Sequence, residues 1–489
     1  MPTDRALGRR GKAMQISPQE FKPQARAALK DATLQQALGR AKVGFTEKRR
    51  KGVEHFDDFE ALRERGRRIR DHALNHMDEY LERLESMVQA AGGQVHWARD
   101  DAEARDIILG LCQQRQARRV TKSKSMITEE IALNPALERA GMDVVETDLG
   151  EYIIQLAKEP PSHIIGPAIH KTRQQISELF DTYHHQGALK AKLREIPELV
   201  TEAREVLRDK FLSADVGITG ANFLVAETGS IVLVTNEGNA DLTHTLPGMH
   251  ISVAGIDKVV PTLEDATTLL RLLGRSATGQ EMSCYTTFVT GPRRTDDPDG
   301  PEEFHLVLLD NGRSRMLSGP YRDMLRCIRC AACMNHCPVY GAIGGHAYGW
   351  VYPGPMGSVL TPLFVGLENA RDLPHACTLN GRCATVCPVK IPLPDLLRQL
   401  RSDQFRQDIV DRRTRLGLRV WGYLARQPRL YSLATRVGSR LLRILGGRRG
   451  RLSRLPLAGG WTSGRDFPAP QGARFRDQWK KRQQQRRQA

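Results

Sequence analysis

The stretch Cys327-Ile-Arg-Cys330-Ala-Ala-Cys333-Met-Asn-His-Cys337-Pro338 decides how the second half of this chain folds. A later run, Cys377-Thr-Leu-Asn-Gly-Arg-Cys383-Ala-Thr-Val-Cys387-Pro388, brings seven of the nine cysteines into the two stretches. The first has the C-x2-C-x2-C-x3-C-P spacing, in which three thiolates bind one iron–sulfur cluster and the fourth, next to a proline, binds another. A zinc site instead pairs two CxxC units around one ion. The spacing therefore predicts iron–sulfur clusters rather than zinc or a disulfide framework.

The crossed ligation that is typical of paired cluster loops assigns each thiol to one of two clusters. Cluster one takes Cys327, Cys330, Cys333 and Cys387. Cluster two takes Cys337, Cys377 and Cys383, and Asn380 stands where a fourth thiol would fall. We therefore expect one [4Fe–4S] cluster and a second that is either [3Fe–4S] or [4Fe–4S] with a non-cysteine ligand.

The second cysteine run has C-x5-C-x3-C-P spacing and resembles the three-iron site in the iron–sulfur subunit of succinate dehydrogenases and fumarate reductases. Residues 338–376, which separate the two runs, are too many for a compact ferredoxin with two short repeats. They combine helix-forming residues with a Gly/Pro-rich segment, Tyr352–Gly357. We therefore predict an α-helical ferredoxin domain over residues 311–400.

Strand and helix patterns alternate in the first half of the chain. Apolar runs predict strands at Gln94–Ala98, Arg119–Lys122, Asp143–Glu146, Ser283–Thr290 and Phe304–Leu309. Helical periodicity over Asp101–Gln116 and Ile127–Ala140 places crossover helices between the first three strands. This order predicts an α/β domain with a parallel sheet over residues 53–310. Apolar spacing over 53–91 predicts a leading helix that ends at Gly92.

Basic residues are concentrated at both ends of the chain. Residues 1–52 hold 13 Lys and Arg against 4 Asp and Glu, residues 401–489 hold 23 against 5, and residues 53–400 hold 37 against 47. The first segment is interpreted as a mobile basic arm with one or two short helices, and the last as a basic amphipathic helical region. These ends favour an acidic partner or the surface of an anionic membrane, although solvated arginines that serve only solubility would give the same composition.

Several partner and location classes are disfavoured by the sequence. Few aromatic residues lie among the arginines and no nucleic-acid motif is present, so we expect no nucleic acid partner. No apolar run approaches a membrane span, and residues 1–10 lack the apolar core of a secretory signal. Clustered thiolates require a reducing compartment. We expect a cytoplasmic protein, with peripheral contact at the inner face of the membrane through the basic C-terminal region as a further expectation.

Candidate polar sites in the α/β part are less specific. Thr121–Thr128, between a strand and a helix, offers lysines and hydroxyls that can hold an anion or cap the helix. Glu227 stands at a turn between two apolar strands, His170 in a proline-rich loop, and Asp241 in a polar cluster. These three are the catalytic candidates, and the catalytic residues stay unassigned. No G-x-G-x-x-G opens a helix and no P-loop motif occurs, so a nucleotide site is not indicated.

The longest motifs resemble a known family. Lys122–Glu130, Glu159–Thr172 and Ala226–Ser230 are similar to the LUD (lactate utilisation) domain. Together with the cysteine loops and Gly344–Gly349, they make the chain resemble the lactate utilisation protein B family over about residues 55–480. Members of that family are expected to carry a cysteine where this chain has Asn380.

The resemblance implies a fold and a role. The fold is that of the NagB/RpiA/CoA-transferase group, followed by the two-cluster domain. The role is that of an iron–sulfur electron-transfer subunit in NAD-independent oxidation of L-lactate to pyruvate, which allows growth on lactate. The expected partners are a second Fe–S subunit, a separate LUD-domain subunit and a downstream electron acceptor. We expect this chain to act in electron transfer rather than to hold the lactate-oxidising site alone. The alternative is that the LUD domain is itself a small-molecule enzyme and that the clusters are regulatory or structural.

Overall fold

The computed structural model describes residues 17–184, 195–455, 459–462, 464–470 and 474–488. The chain divides into two compact units, one that ends at Gln404 and one that begins at Phe405. The predicted boundary at residue 400 falls inside a helix that runs to Arg406, because the apolar periodicity continues past that residue.

Helices and strands alternate in the α/β part as the sequence predicts. Its helices and those before it are α1 (Phe21–Ala28), α2 (Ala32–Glu54), α3 (Phe59–Asn75), α4 (Met77–Ala90), α5 (Asp101–Gln114), α6 (Met126–Glu130), α7 (Leu133–Arg139), α8 (Leu149–Ala157), α9 (Arg173–Tyr183), α10 (Ile196–Leu212), α11 (Asn239–Thr245) and α12 (Leu263–Thr278). Its strands are β1 (Gln94–Ala98), β2 (Arg119–Lys122), β3 (Asp143–Glu146), β4 (Val216–Gly220), β5 (Phe223–Val225), β6 (Ser230–Thr235), β7 (Met249–Gly255), β8 (Val259–Val260), β9 (Tyr285–Val289) and β10 (Glu303–Leu309).

Six of these strands form a parallel sheet in the order β1-β10-β7-β4-β2-β3. Its central strands β4, β7 and β10 are buried along nearly their whole length, as is typical of parallel sheets whose two faces are covered. The carboxyl ends of β2, β4 and β7 therefore meet at one edge, and the loops that follow them share that edge. This arrangement confirms the predicted α/β class.

A second, four-stranded sheet has the order β8-β5-β6-β9. Strands β5 and β6 form the antiparallel hairpin predicted around Glu227. The run predicted as a strand at Ser283–Thr290 becomes β9, which pairs with β6 in this sheet and does not return to the parallel sheet. Apolar periodicity located the strand, but it carries no information on which strand would be its neighbour.

Two predicted helices are each divided in the structure. The helix predicted over 53–91 is α3 and α4, which meet at His76, where φ is −123°. The helix predicted at Ile127–Ala140 is α6 and α7, separated at Ala132, where φ is +50°. In both cases the apolar periodicity continues across a short break in the backbone, so periodicity alone does not reveal the break.

The cysteine-rich region contains only helices and loops, with no strand among residues 311–400, all of which the structure describes. Its helices are α13 (Arg313–Leu317), α14 (Ala332–Asn335), α15 (Tyr340–Ile343), α16 (Gly354–Val365), α17 (Arg382–Val386) and α18 (Leu393–Arg406). This composition confirms the predicted α-helical ferredoxin-type domain. One continuous apolar core joins it to the second sheet and to α3, α4 and α12.

The prediction of a mobile arm over residues 1–52 is wrong for the part that the structure describes, while residues 1–16 lie outside it. Helix α2 extends over 23 residues, and it packs on α12 and α15. Arg49 of α2 is buried and donates to the carbonyl oxygen of Val386 at 3.4 Å. The segment was misjudged because its few apolar residues contact distant parts of the chain, which local periodicity does not show.

The loop between α8 and α9 contacts both α2 and the cysteine-rich region through His163. His163 is 1% exposed, stacks on Phe45 of α2, and lies 2.9 Å from the side-chain oxygen of Asn335 in α14. Its other ring nitrogen accepts the N–H groups of Ile165 and Gly166. Burial lowers the pKa of His163 to about 4, so the buried ring is neutral at pH 7.

The second unit is helical and basic, as predicted. It contains α19 (Arg412–Arg426), α20 (Pro428–Gly446), α21 (Gly459–Thr462), α22 (Phe475–Gln488) and a short antiparallel pair, β11 (Arg451–Leu452) with β12 (Phe467–Pro468). Among the described residues, no helix is both long enough and apolar enough to cross a membrane.

Replacing His163 with Gln should change how stability depends on pH. Because the folded-state pKa of His163 is about 4 and the ordinary value is 6.5, the stability that needs the neutral ring is fully present above pH 6.5 and is lost as the pH falls to 4. The shift corresponds to about 3 kcal/mol. Melting temperatures measured over this range should fall more steeply for the wild type than for His163→Gln. The exposed His55→Gln variant should follow the wild type, and equal slopes in His163→Gln and the wild type would contradict the expectation.

Candidate iron–sulfur site

Four thiols from the two cysteine runs surround one cavity. Cys327, Cys330, Cys333 and Cys387 line it together with apolar side chains such as Met324 and Val389. The crossed assignment predicts this set, since Cys387 comes from the second run and the other three from the first. None of the four is in a disulfide.

The other three thiols form a second group. Burial, followed by the charges of Cys377 and Cys337, raises the pKa of Cys383 to about 12, and burial together with Cys377 raises the pKa of Cys337, so the three thiols lie close together. Asn380 is exposed, and its side-chain oxygen accepts the N–H of Arg382 at 3.1 Å, at the start of α17. This hydrogen bond ties the Asn380 amide to the first residue of α17.

The backbone of both loops curves around the thiols. Arg329 and Ala331, on either side of Cys330, have φ of +59° and +65°, and Leu379 has +56°. Such left-handed residues cost free energy and persist where the surrounding structure requires them. The N–H of Leu379 donates to the sulfur of Cys377 at 3.2 Å, and the N–H of Ala332 donates to the sulfur of Cys330. Donors near sulfur are one of the means by which a protein tunes such a site.

The donor set fits iron–sulfur clusters. Burial is the first cause that raises the pKa of Cys330 and Cys333, and it raises the pKa of Cys387 to about 11. Buried thiols at these positions would stay protonated by themselves, but coordination to a metal removes the proton. Soft thiolates in sets of this size select iron–sulfur clusters or zinc. Seven convergent thiols in two groups fit two adjoining clusters better than one tetrahedral ion.

Cations from distant parts of the chain surround the first thiol group. Arg63 of α3 donates to the carbonyl oxygen of Cys387 at 2.7 Å. Arg70 is buried and donates to the carbonyl oxygens of Asp257, Val259 and Leu325. Arg70, Lys258 and Arg329 all interact electrostatically with Cys327. Clustered thiolates carry negative charge, and these cations offset part of it.

Glu227, a catalytic candidate from the sequence, lies on the surface. Its carboxylate accepts the N–H of Leu263 at 2.9 Å and so caps the start of α12. The sequence suggested a carboxylate that takes part in chemistry or caps the turn between the strands, whereas in the structure it bonds to the start of a helix further along the chain.

The other two candidates lie in separate places. His170 contacts Glu159 and Ser162, each at 2.8 Å, and its ring lies 4.5 Å from that of His346. Asp241 accepts the hydroxyl of Thr287 at 2.6 Å. Among the described residues, no hydrogen bond or ion pair joins Glu227, His170 and Asp241, so the structure does not bring them together as one site.

A different cavity occupies the carboxyl edge of the parallel sheet. Ser123, Lys124 and Ser125 line it after β2, as do Asp257 and Lys258 after β7 and Arg329 from the cysteine loop. The sequence predicted an anion site or a helix cap at the segment that contains Ser123, Lys124 and Ser125, because of its lysines and hydroxyls. Ser125 does cap α6, where its hydroxyl accepts the N–H of Thr128 at 3.4 Å. Sequence reasoning missed Asp257, Lys258 and Arg329. For Arg329, the sequence did offer one indication, since it lies between the predicted cluster ligands Cys327 and Cys330.

Family models match the chain in the order of its domains. The LUD domain matches residues 81–309, the 4Fe-4S dicluster domain residues 323–391, and the C-terminal domain of lactate utilisation protein B residues 407–484. The matches cover the parallel sheet, both cysteine runs and the basic helical unit. They show that this is an iron–sulfur protein.

Full-length relatives agree with these matches. "Lactate utilization protein B" of Bacillus pumilus (strain SAFR-032) is 45% identical over 97% of this chain and 99% of its own length. The protein of the same name in Shouchella clausii (strain KSM-K16) is 46% identical over 97% and 99%. "Uncharacterized electron transport protein YkgF" of Escherichia coli (strain K12) is 43% identical over 97% and 99%. The chain therefore belongs to the lactate utilisation protein B family.

Proposed function

We propose that this chain is the electron-transfer component of an NAD-independent system that oxidises L-lactate to pyruvate. The observation that carries the proposal is the pair of thiol groups, four and three, held in one helical domain. When bound, an iron–sulfur cluster accepts and donates single electrons. The relatives named for lactate utilisation and for electron transport support the same role.

The two thiol groups are neighbours, which suits a relay. The pKa of Cys333, in the first group, is raised by burial and also by Cys383 of the second group. Oxidation of a 2-hydroxy acid releases two electrons, and two adjoining one-electron sites can take them in sequence. We assign Cys327, Cys330, Cys333 and Cys387 to a [4Fe–4S] cluster, and Cys337, Cys377 and Cys383 to a [3Fe–4S] cluster.

The electrons must enter and leave through other components. The proposed partners are a second Fe–S subunit, a separate LUD-domain subunit and a downstream acceptor, in a cytoplasmic complex. The reducing cytoplasm would keep the thiols available for cluster assembly.

The C-terminal unit has the properties of a surface that contacts an anionic membrane. Residues 412–465 contain no Asp or Glu and many arginines. Large apolar side chains of α19 and α20 are exposed, among them Trp421 at 61% and Ile444 at 71%. A helix with arginines beside such residues binds at the interface of anionic lipids. We therefore propose peripheral contact through these two helices.

Replacing Cys330 with Ser should abolish growth on lactate as the carbon source. The variant loses a ligand of cluster one, so electrons cannot pass. Growth on another carbon source should be normal. The matched control is Cys284→Ser, at an exposed thiol outside both groups. Normal lactate growth of Cys330→Ser, with its iron content lowered, would refute the relay role.

Asn380 provides a test of cluster two. The oxidised protein, purified without oxygen, should show a three-iron EPR signal and about seven irons per chain. In Asn380→Cys, a fourth thiol should convert the site to a cubane, remove that signal and raise the iron to about eight. Asn380→Ser retains a side-chain oxygen without a thiol and should keep the signal. A wild type with eight irons and no such signal would show that another ligand completes the cluster.

Membrane contact can be measured with vesicles and the full-length protein. We expect binding to vesicles with anionic phospholipid, little binding to zwitterionic vesicles, and a loss of binding at high salt, because screening weakens surface electrostatics. The double variant Trp421→Ser/Ile444→Ser should bind several-fold more weakly. Leu29→Ser, at an apolar residue that is 57% exposed on another part of the chain, is the control. Equal binding to both vesicle types would contradict the proposal.

A further inference from the structure

The cavity at the carboxyl edge of the parallel sheet has the size of a small metabolite. It measures about 150 Å³ and is lined by the loops after β2, β4 and β7 together with Arg329 and Tyr352 of the cysteine-rich domain. A cavity of this size holds about six non-hydrogen atoms, as in benzene. None of the catalytic candidates from the sequence lines it.

Two cations at this cavity make no direct ion pair or hydrogen bond with a described residue, and their charges act at longer range on Cys327 and Asp257. Arg329 makes no ion pair or hydrogen bond with any described residue; its Nη1 is buried and the guanidinium lies 5.0 Å from the ring centre of Tyr352. Lys258 likewise makes no hydrogen bond or ion pair within the described part of the chain. The other cations at the cavity are satisfied: Arg313 pairs with Asp257 at 2.8 Å, and Lys124 with Asp148 at 3.2 Å.

The cavity also contains a hydrogen-bond acceptor that has no donor within the described part of the chain, a carboxylate oxygen of Asp257. Asp257 uses Oδ1 for Arg313, whereas its Oδ2 is buried and has no partner among the described residues. Burial favours the neutral acid, but Arg313 and Arg329 outweigh it and lower the pKa of Asp257 to about 2. An ionised carboxylate only accepts hydrogen bonds. The cavity therefore offers two cationic donors and one acceptor.

The remaining walls are partly apolar. Met126, Ile164 and Leu233 line the same cavity. A matching ligand has an anionic group for Lys258 and Arg329, a hydroxyl to donate to Asp257, and a small apolar end. Buried polar groups that stay unpaired cost free energy, and such a ligand would pair Nη1 of Arg329 and Oδ2 of Asp257 while its anionic group also contacts Lys258.

We infer that this cavity binds a small 2-hydroxycarboxylate, with its carboxylate at Lys258 and Arg329 and its hydroxyl at Asp257. The inference rests on the proposed function for the identity of the acid, L-lactate, but the site follows from the three unpaired groups. A 2-oxo acid lacks the hydroxyl proton and would place an oxygen lone pair against the Asp257 carboxylate. The site should therefore prefer the hydroxy acid to its oxidised product.

The site is also coupled to the first thiol group. Arg329 lies between Cys327 and Cys330 in the chain, and it lines both the thiol cavity and this one. An anion beside Arg329 adds negative charge near cluster one and favours the cluster's oxidised, less negative form. Ligand binding should therefore lower the reduction potential of cluster one, and reduction should weaken ligand binding by the same factor. A tenfold difference in affinity corresponds to 59 mV for one electron.

Calorimetry on the full-length, cluster-loaded and oxidised protein tests the site. L-lactate should bind, and propionate, which lacks the hydroxyl, should bind about tenfold or more weakly, as should pyruvate. Inorganic phosphate, which matches the cations but not the apolar wall, should also bind more weakly. Equal binding of lactate and propionate would overturn the role of Asp257, and preferential binding of phosphate would overturn the ligand class.

Lys258→Met removes one cation and keeps most of the length of the unbranched side chain. It should weaken lactate binding about ten- to a hundredfold when wild type and variant are compared at equal iron content. Lys30→Gln, at an exposed lysine on another part of the chain, should bind as the wild type. Unchanged lactate binding in Lys258→Met would refute the site.

A redox titration of cluster one, with and without L-lactate, tests the coupling. Saturating lactate should lower the potential in the wild type, and the shift should be lost in Lys258→Met. A potential that does not move while lactate binds would refute the coupling and leave the binding site standing. The relay proposal is judged separately, by lactate growth of Cys330→Ser, so failure of one does not imply failure of the other.

Discussion

The burial of negative charge is the constraint on which the first unit depends. Four thiols converge at one cavity and three at a neighbouring position, and thiolates bound to iron bring a net negative charge into the interior. An unpaired buried charge is costly. The chain meets this cost with cations from far apart in the sequence: Arg49 from α2, Arg63 and Arg70 from α3, Lys258 after β7, and Arg329 from the cysteine loop itself.

This constraint explains why the LUD and ferredoxin parts are not independent. The helices that precede the parallel sheet donate to carbonyl groups beside the cysteines, as Arg63 does at Cys387. His163 fixes another junction through Asn335, which lies between two of the thiols in the chain. At Gly345 the backbone approaches Ser162 so closely that a Cβ would lie 1.8 Å from its carbonyl oxygen. The apolar core is correspondingly shared, so cluster assembly and folding of the LUD part should depend on each other.

The same geometry places a small-molecule cavity beside the first thiol group. In parallel α/β sheets, ligands bind at the carboxyl ends of the strands, and here the cysteine-rich domain closes that edge with Arg329 and Tyr352. Arg329 thus belongs to two environments, a cluster loop and a ligand cavity. Such a shared residue provides a direct physical link between ligand occupancy and redox state.

The sequence by itself determined the features that depend on local spacing. The cysteine intervals predicted which thiols meet, and apolar runs predicted β1, β2 and β3 at their observed bounds. Tertiary structure alone decided that Glu227 caps α12, that α2 packs rather than moves freely, and that Asp257, Lys258 and Arg329 face one cavity. The physical reason is range: periodicity and ligand spacing act over a few residues, whereas charge compensation and cavity lining depend on contacts between residues far apart in the chain.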